Sequence, residues 1–309
     1  MSDQTKVPLN SYDASGAYTA KRIGGKFSSE LFANSAVNFL ESYQGSDPFL
    51  LYVAFTSPHD PRMAPKQFAA MYSAPKLKVP VNYLPQHPFD NGELKVRDEM
   101  LEQFPRSQEA IQAHLAGYYA MVSEVDAQIG RILNALDRSG KAEDTIVVFA
   151  ADNGLAVGRH GLLGKQNLYD HSVRVPLVIA GPDLPKNKKV DSLVYLLDLF
   201  PTLTELAGVK TPSTVEGKSL VPLIRGGRKS VRDSVYLAYR GVQRSVRTER
   251  WKLIEYTVAG KRTVQLFDLK TDPEEFNNLA LQKPRQAEEL RRLLKQWMKD
   301  TDDPSEWAA

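Results

Sequence analysis

Three apolar runs limit this chain more than any other feature of its sequence: "DPFLLYVAF" ending near Phe55, "DTIVVFAA" ending near Ala151, and "VRVPLVIAG" over residues 173–181. An extended run with apolar side chains on both sides needs cover on both faces, as a strand inside a sheet has. The first run follows "SSELFANSAVNFLESYQ", where apolar residues recur at helical spacing and Ser28 or Ser29 can cap. The second follows residues 107–138, where Val122, Val125, Ile129, Ile132, Leu133 and Leu136 repeat in the same way. Helix then strand, twice, predicts an α/β fold with a mainly parallel sheet sandwiched by helices. Strands at about 49–55, 145–151 and 174–180 are expected as neighbours in that sheet.

Between the first two units, residues 57 to about 107 form a Pro-rich polar connection. It far exceeds the usual span of about 4–6 residues, and connections of that size are usually functional or disordered. "LVYLLDLFPTLTELAG" (193–208) reads as a helix in which Pro201 must sit near a boundary or a kink. After the Gly- and Arg-rich "IRGGRKSVRD" the pattern changes. "SVYLAY", "QRSVRT", "WKLIEYT" and "TVQLFDL" predict a small antiparallel sheet over about 234–270, and "KPRQAEELRRLLKQWMKD" an amphipathic helix packed with it. The division expected is an α/β part over 1–230 and a small sheet-and-helix part over 231–309.

A formal charge of +3 on 309 residues is too small and too evenly spread to point to nucleic acid. There is no cysteine, hence no disulfide, thiolate metal site or cysteine nucleophile. The polar lead, residues 1–25, has no apolar core of an export signal, and no stretch approaches the ~18 apolar residues of a membrane span.

Ligands of open parallel sheets bind beyond the carboxyl ends of strands. "TSPHDPR", "ADNG" and the loop with His160 and Lys165 all fall there. Asp152 and Asn153 offer hard oxygens suited to Ca²⁺ or Mg²⁺, although a strand-end D-N-G is also a common turn. His59, between two prolines, can present an imidazole as donor or general acid; a plain turn histidine is the competing reading. Lys165, in a Gly-flanked loop, can supply a fixed charge to an oxyanion or be merely solvated. Of the other loop histidines, His160 is the better candidate for a substrate contact, because the neighbours of His171 suggest a strand start. In the long connection, His87, Asp90, Asn91 and Arg97 either line the pocket for the organic part of a substrate or form a packed surface loop.

Taken in order, "PFLLYVAFTSPHDPR", "GYYAMVSEVDAQIGRIL", "TIVVFAADNGLAVGRHGLLGKQNLYDHSVRVPL", "LLDLFPTLTELAGV", "EGKSLVPLI" and "LFDLKTDPEEFNNLA" resemble the sulfatase (arylsulfatase-like) family of the alkaline-phosphatase-like superfamily over roughly residues 27–280. The resemblance implies that Asp152 and Asn153 ligate a divalent cation, usually Ca²⁺ with Mg²⁺ as the alternative. It also implies that His59 and Lys165 contact the sulfate group or leaving oxygen. Family members are often periplasmic or secreted. They use a formylglycine made from a C/S-x-P-x-R motif, an Asp-Asp metal pair after the first strand, and a G-K-W-H-like segment. None of these is in this sequence; its Asp-Asp pair, Asp302-Asp303, lies near the C-terminus.

The expectation is therefore a sulfuric ester hydrolase by descent, lacking the N-terminal part of the family fold and inactive alone. A sulfated small molecule or glycan is the expected substrate, and a separate N-terminal sulfatase segment a candidate partner. Two other readings are a phosphodiesterase or phosphonate hydrolase of the same superfamily, and a non-catalytic divalent-ion or sulfated-glycan binder.

Overall fold

The computed structural model describes residues 26–303. Its chain divides into two units, with boundaries at Val79/Pro80, Arg106/Ser107 and Thr145/Ile146. The polar lead of residues 1–25 lies outside the described residues.

In the first unit, α1 (Ser28–Ser42) packs on α2 (Gln108–Arg138). Ala33, Ala36 and Leu40 form the buried stripe of α1 at spacings of three and four, as a one-sided helix requires. Ser107 caps α2 by accepting from the N–H of Ala110 at 3.1 Å. No side chain caps α1: Phe27 is its N-cap, and Ser28 and Ser29 lie in its first turn, where their hydroxyls bond Thr56 and Ser57. The run 49–55 is extended. Phe49 and Phe55 meet Phe39 and Phe32 of α1 edge-on, with ring centres 5.4 and 6.5 Å apart, whereas Leu50 and Tyr52 are 89% and 87% exposed. Alternate residues thus face inward, as in a strand, but the run joins no ladder among the described residues.

In the second unit, β1 (Val147–Ala150) pairs with β2 (Leu177–Ala180). The expected parallel relation of these two runs is corrected here. The pair is antiparallel, with Val147 opposite Ala180 and Ala150 opposite Leu177. Parallel neighbours need a crossover of a dozen or more residues, usually a helix. Residues 151–176 contain only one helical turn, Asp170–Val173, so the chain turns back on itself. Both ends of this loop therefore stand at the same rim of the pair.

The segment 80–106 is an ordered part of this unit, with Asn82, His87 and Arg106 buried. Further along, α3 (Leu199–Leu206) holds Pro201 in its first turn, where a missing N–H costs no helical hydrogen bond.

Four strands, β3 (Ser234–Tyr239), β4 (Gln243–Thr248), β5 (Trp251–Val258) and β6 (Lys261–Asp268), form the antiparallel sheet expected from the sequence, in chain order. Its two faces bury different partners. Val246, Leu253 and Leu266 pack on Ala287, Leu290, Leu294 and Met298 of α4 (Pro284–Asp300). Ile254, Tyr256 and Phe267 pack on Ala156, Leu162, Leu168 and Tyr169 of the loop that joins β1 to β2. Adjacent residues such as Leu253 and Ile254 serve opposite faces, the period-two rule of strands. Asp303 accepts from Arg244 at 2.7 and 2.9 Å, tying the residues after α4 back to β4.

The α/β class with a C-terminal antiparallel sheet and helix is thus the observed fold. Among the described residues, no helix is long and apolar enough to cross a membrane.

Candidate functional site

The loop after β1 begins with the turn Asp152-Asn153-Gly154. Asp152 is exposed and its Oδ1 accepts from the N–H of Asn153 at 2.9 Å; Asn153 Nδ2 donates to the carbonyl of Gly154 at 3.0 Å. Asn153 Oδ1 is thereby left on the side away from that bond. Gly154 is required here, because a Cβ would lie 2.0 Å from the carbonyl oxygen of His171.

From Ala156 the loop folds as a tight hairpin. The N–H groups of Ala156, Val157 and Gly158 donate to the carbonyls of Gly164, Leu163 and Leu162 at 3.0, 3.3 and 2.7 Å. Gly161 closes it at φ +73°, with space for no side chain: a Cβ would sit 2.2 Å from the backbone of Gln86. This hairpin carries the chain back past Gly164, which pairs with Ala156, so Lys165 returns toward the level of Asn153 despite the eleven residues between them. Lys165 is half-buried, and no described residue gives its amine a hydrogen bond or an ion pair. Asp98 is near enough for the lysine's charge to act on it. Burial opposes ionisation of Asp98, but hydrogen bonds from Gln166 and Arg97 and the charges of Arg97 and Lys165 outweigh it, leaving its pKa below the ordinary value.

Beneath the hairpin lies a stack of rings. His160 lies flat on Tyr169, centres 4.0 Å apart, and His171 stands 5.7 and 5.6 Å from the two. His160 bonds Asn82; His87 bonds the carbonyl of Phe89 at 2.7 Å and reaches Tyr169 Oη at 3.2 Å. All three histidines are held neutral. Burial is the main cause, pushing His160 down to about 3 with help from the neighbouring His87 imidazole and the charge of Lys252, lowering His87, and taking His171 well below the usual range. The wall next to the stack is charged: Lys252, fully buried, meets Asp170 at 2.9 Å and Glu275 at 2.7 Å, and Arg247 pairs with Asp170 at 2.7 Å.

Of the remaining candidates, Asp90 is exposed and accepts from the N–H of Gly92. Asn91 is buried and accepts from the N–H of Glu93, and Arg97 pairs with Asp98. His59 belongs to the other unit, exposed on the turn after the 49–55 run, with its Nδ1 at 2.9 Å from the carbonyl of Asp60. The second unit thus carries Asp152, Asn153 and Lys165 on the one loop between β1 and β2 and places His87, His160 and Asn91 inside.

Sequence reasoning passed over Asp98, Glu99, Arg106 and Gln166, which line the underside of the same hairpin. Asp98, Glu99 and Arg106 lie in the charge-rich run "VRDEMLEQFPR", and Gln166 follows Lys165 in "GKQN"; nothing else in the sequence marks them.

The turn fits a divalent cation in kind, with a carboxylate and an amide oxygen side by side, but supplies two of the about 6–8 oxygens calcium takes. No group of three or more His, Asp or Glu side chains among the described residues is placed to hold a metal.

A family model described as Sulfatase matches residues 2–209, and one described as N-sulphoglucosamine sulphohydrolase, C-terminal, matches residues 158–303. Arylsulfatase K of Xenopus laevis is 33% identical over 62% of this chain and 38% of its own length. An arylsulfatase of Clostridium perfringens is 32% identical over 80% of this chain and 52% of its own. Among solved structures, a 2-O GAG sulfatase superposes with TM-score 0.74 at 26% identity, covering 93% of this chain and 67% of that one. The phosphonate monoester hydrolase of Silicibacter pomeroyi superposes with TM-score 0.70 at 26% identity, covering 97% and 65%. The chain spans about half the length of the curated relatives it matches, or less.

Proposed function

The chain belongs to the sulfatase family, and from that premise we propose that the hairpin after β1 is one side of a cradle for a sulfate ester. The observation that carries this is the return of Lys165 toward the Asp152-Asn153 turn, which sets a fixed positive charge and two hard oxygens on one loop. Lys165 would hold a sulfate oxygen as charge develops on it, in a pocket wall already organised before substrate arrives. Asp152 and Asn153 would hold Ca²⁺, with Mg²⁺ as the alternative; such a cation supplies Lewis-acid polarisation of the ester when bound. His59 would donate to the leaving oxygen. His160 and His87, buried, would act by holding the loop, while the exposed Asp90 with Asn91 and Arg97 would border the organic group. The substrate class in this reading is a sulfated small molecule or glycan.

The family's nucleophile is made from a cysteine or serine in C/S-x-P-x-R, and this sequence has no such motif. Charge stabilisation cannot replace an attacking group. The purified chain is therefore expected not to turn over a chromogenic aryl sulfate, and to bind Ca²⁺ no better than about millimolar, as loosely built sites do. Turnover lost in both Asp152→Ala and Lys165→Ala would overturn the first expectation and point to another attacking residue. Micromolar Ca²⁺ binding abolished by Asp152→Ala would favour a binding protein instead. A polypeptide carrying the nucleophile and the Asp-Asp pair is the proposed partner, and adding it should restore hydrolysis.

The likeness to a phosphonate monoester hydrolase supports a second reading, because the same cation and lysine suit a phosphoryl group. With the partner supplied, preference for a phosphonate monoester over an aryl sulfate would select it.

A further inference from the structure

The hairpin that carries Lys165 is gripped from below by residues of the long connection. Glu99, 2% exposed, accepts from the N–H groups of Leu163 at 3.0 Å and Gly164 at 2.7 Å. Arg106, 1% exposed, meets that carboxylate at 2.9 Å and donates to the carbonyls of Gly161 at 2.8 Å and Glu99 at 2.6 Å. Asp98 accepts from Gln166 Nε2 at 2.8 Å, and Gln166 Oε1 accepts from the N–H of Lys165 at 3.0 Å. Each backbone N–H from Leu163 to Lys165 is thus held by a side chain. Nothing bulkier fits: a Cβ on Gly164 would lie 2.4 Å from Gln166 Oε1 and 2.8 Å from Asp98 Cβ. All these residues belong to one unit.

A buried ion pair is a poor source of stability, since desolvating both charges costs about as much as their attraction returns. This one spends its hydrogen bonds on the residues just before a lysine whose amine has no described partner. A lysine on a loose loop loses much side-chain and backbone freedom when it meets an anion; one on a fixed base has lost part of it already.

Resting on the reading of Lys165 as the sulfate contact, we propose that Glu99 and Arg106 are positioning residues that lock residues 161–164 and so aim the Lys165 amine at a bound oxyanion. Neither touches the anion itself.

The test reads Lys165 directly. Acetylation of its amine by an N-hydroxysuccinimide ester is followed by peptide mass spectrometry, with inorganic sulfate as the protecting probe. Glu99→Gln alone would leave Arg106 buried without its anion and can fail to fold. The charge-neutral pair Glu99→Gln/Arg106→Met avoids this, and Arg106→Lys keeps the charge while losing the bond to Gly161. Circular dichroism and the thermal midpoint confirm folding. In the folded double variant, the sulfate concentration giving half-protection should rise about tenfold, the lower end of what losing an orienting partner costs, and in Arg106→Lys by less. Unchanged protection in every variant that folds would overturn the positioning role. Absence of protection in the wild-type chain would overturn the sulfate reading of Lys165 and the inference resting on it, a result seen before any variant is made.

Discussion

Replacing Lys252 by Met lowers the unfolding free energy by about 3–5 kcal/mol near pH 8, the cost of breaking a buried pair from one side. Lys252 is fully buried between Asp170 and Glu275. Asp170 keeps Arg247 in the variant, whereas Glu275 keeps only the N–H of Asp170 at 2.7 Å. In the wild type burial already raises the Glu275 pKa, with Asp170 adding to the rise and Lys252 opposing it. Without the lysine it climbs further. A carboxyl whose folded pKa lies above its unfolded value contributes stability below the unfolded pKa, and that contribution is lost as pH rises through the folded pKa. The deficit of Lys252→Met should therefore be smaller at pH 5 than at pH 8. Urea unfolding of both proteins at the two pH values measures it; a deficit below about 1 kcal/mol, or one equal at both pH values, would mean the network is not the buried ion cluster described.

The second large effect belongs to the ring stack. His87, His160 and His171 have folded pKa values below the unfolded value of about 6.5. Above that pH both states are neutral and the histidines contribute nothing. Below it the unfolded chain takes up protons that the folded chain refuses, so stability falls as pH falls. His160 and His171 each add a slope of about 1.4 kcal/mol per pH unit until the folded pKa is reached, about 3 for His160, and His87 adds to the fall in the same direction. Urea midpoints at pH 7, 6 and 5 should drop steeply over the lower interval. His171 is the variant to compare, since its Nε2 is buried without a hydrogen-bond partner among the described residues. His171→Leu should remove about 1.4 kcal/mol per pH unit of the slope. A flat profile from pH 7 to 5 would show that these rings are protonated in the folded protein.

Strands β3 to β6 were legible because short β-branched and aromatic runs alternate with tight turns such as Ala259-Gly260, both at positive φ. Direction was less legible in β1 and β2. An apolar run states that a strand is covered, whereas its orientation depends on what the connecting chain does, and here that chain makes a hairpin in place of a crossover helix. The run 49–55 reads as covered on both faces, but Leu50 and Tyr52 are exposed and it joins no ladder among the described residues; cover and a ladder partner are properties of other residues. In the site, the D-N-G turn and Lys165 stood out by type and spacing. Glu99 and Arg106 did not, since in a polar Pro-rich stretch two opposite charges read as solvated; only their pairing makes them interior.

The two-faced sheet also restricts how this gene can change length. In β5 and β6, Leu253 and Leu266 serve α4 while their neighbours Ile254 and Phe267 serve the loop core. Deleting or inserting one codon inside either strand would exchange the two sets and disturb both cores at once. Such mutations are affordable only at the hairpin tips around Gly241, Glu249 and Gly260, so length polymorphism between β3 and β6 should be confined to those three points while the strands drift by substitution alone.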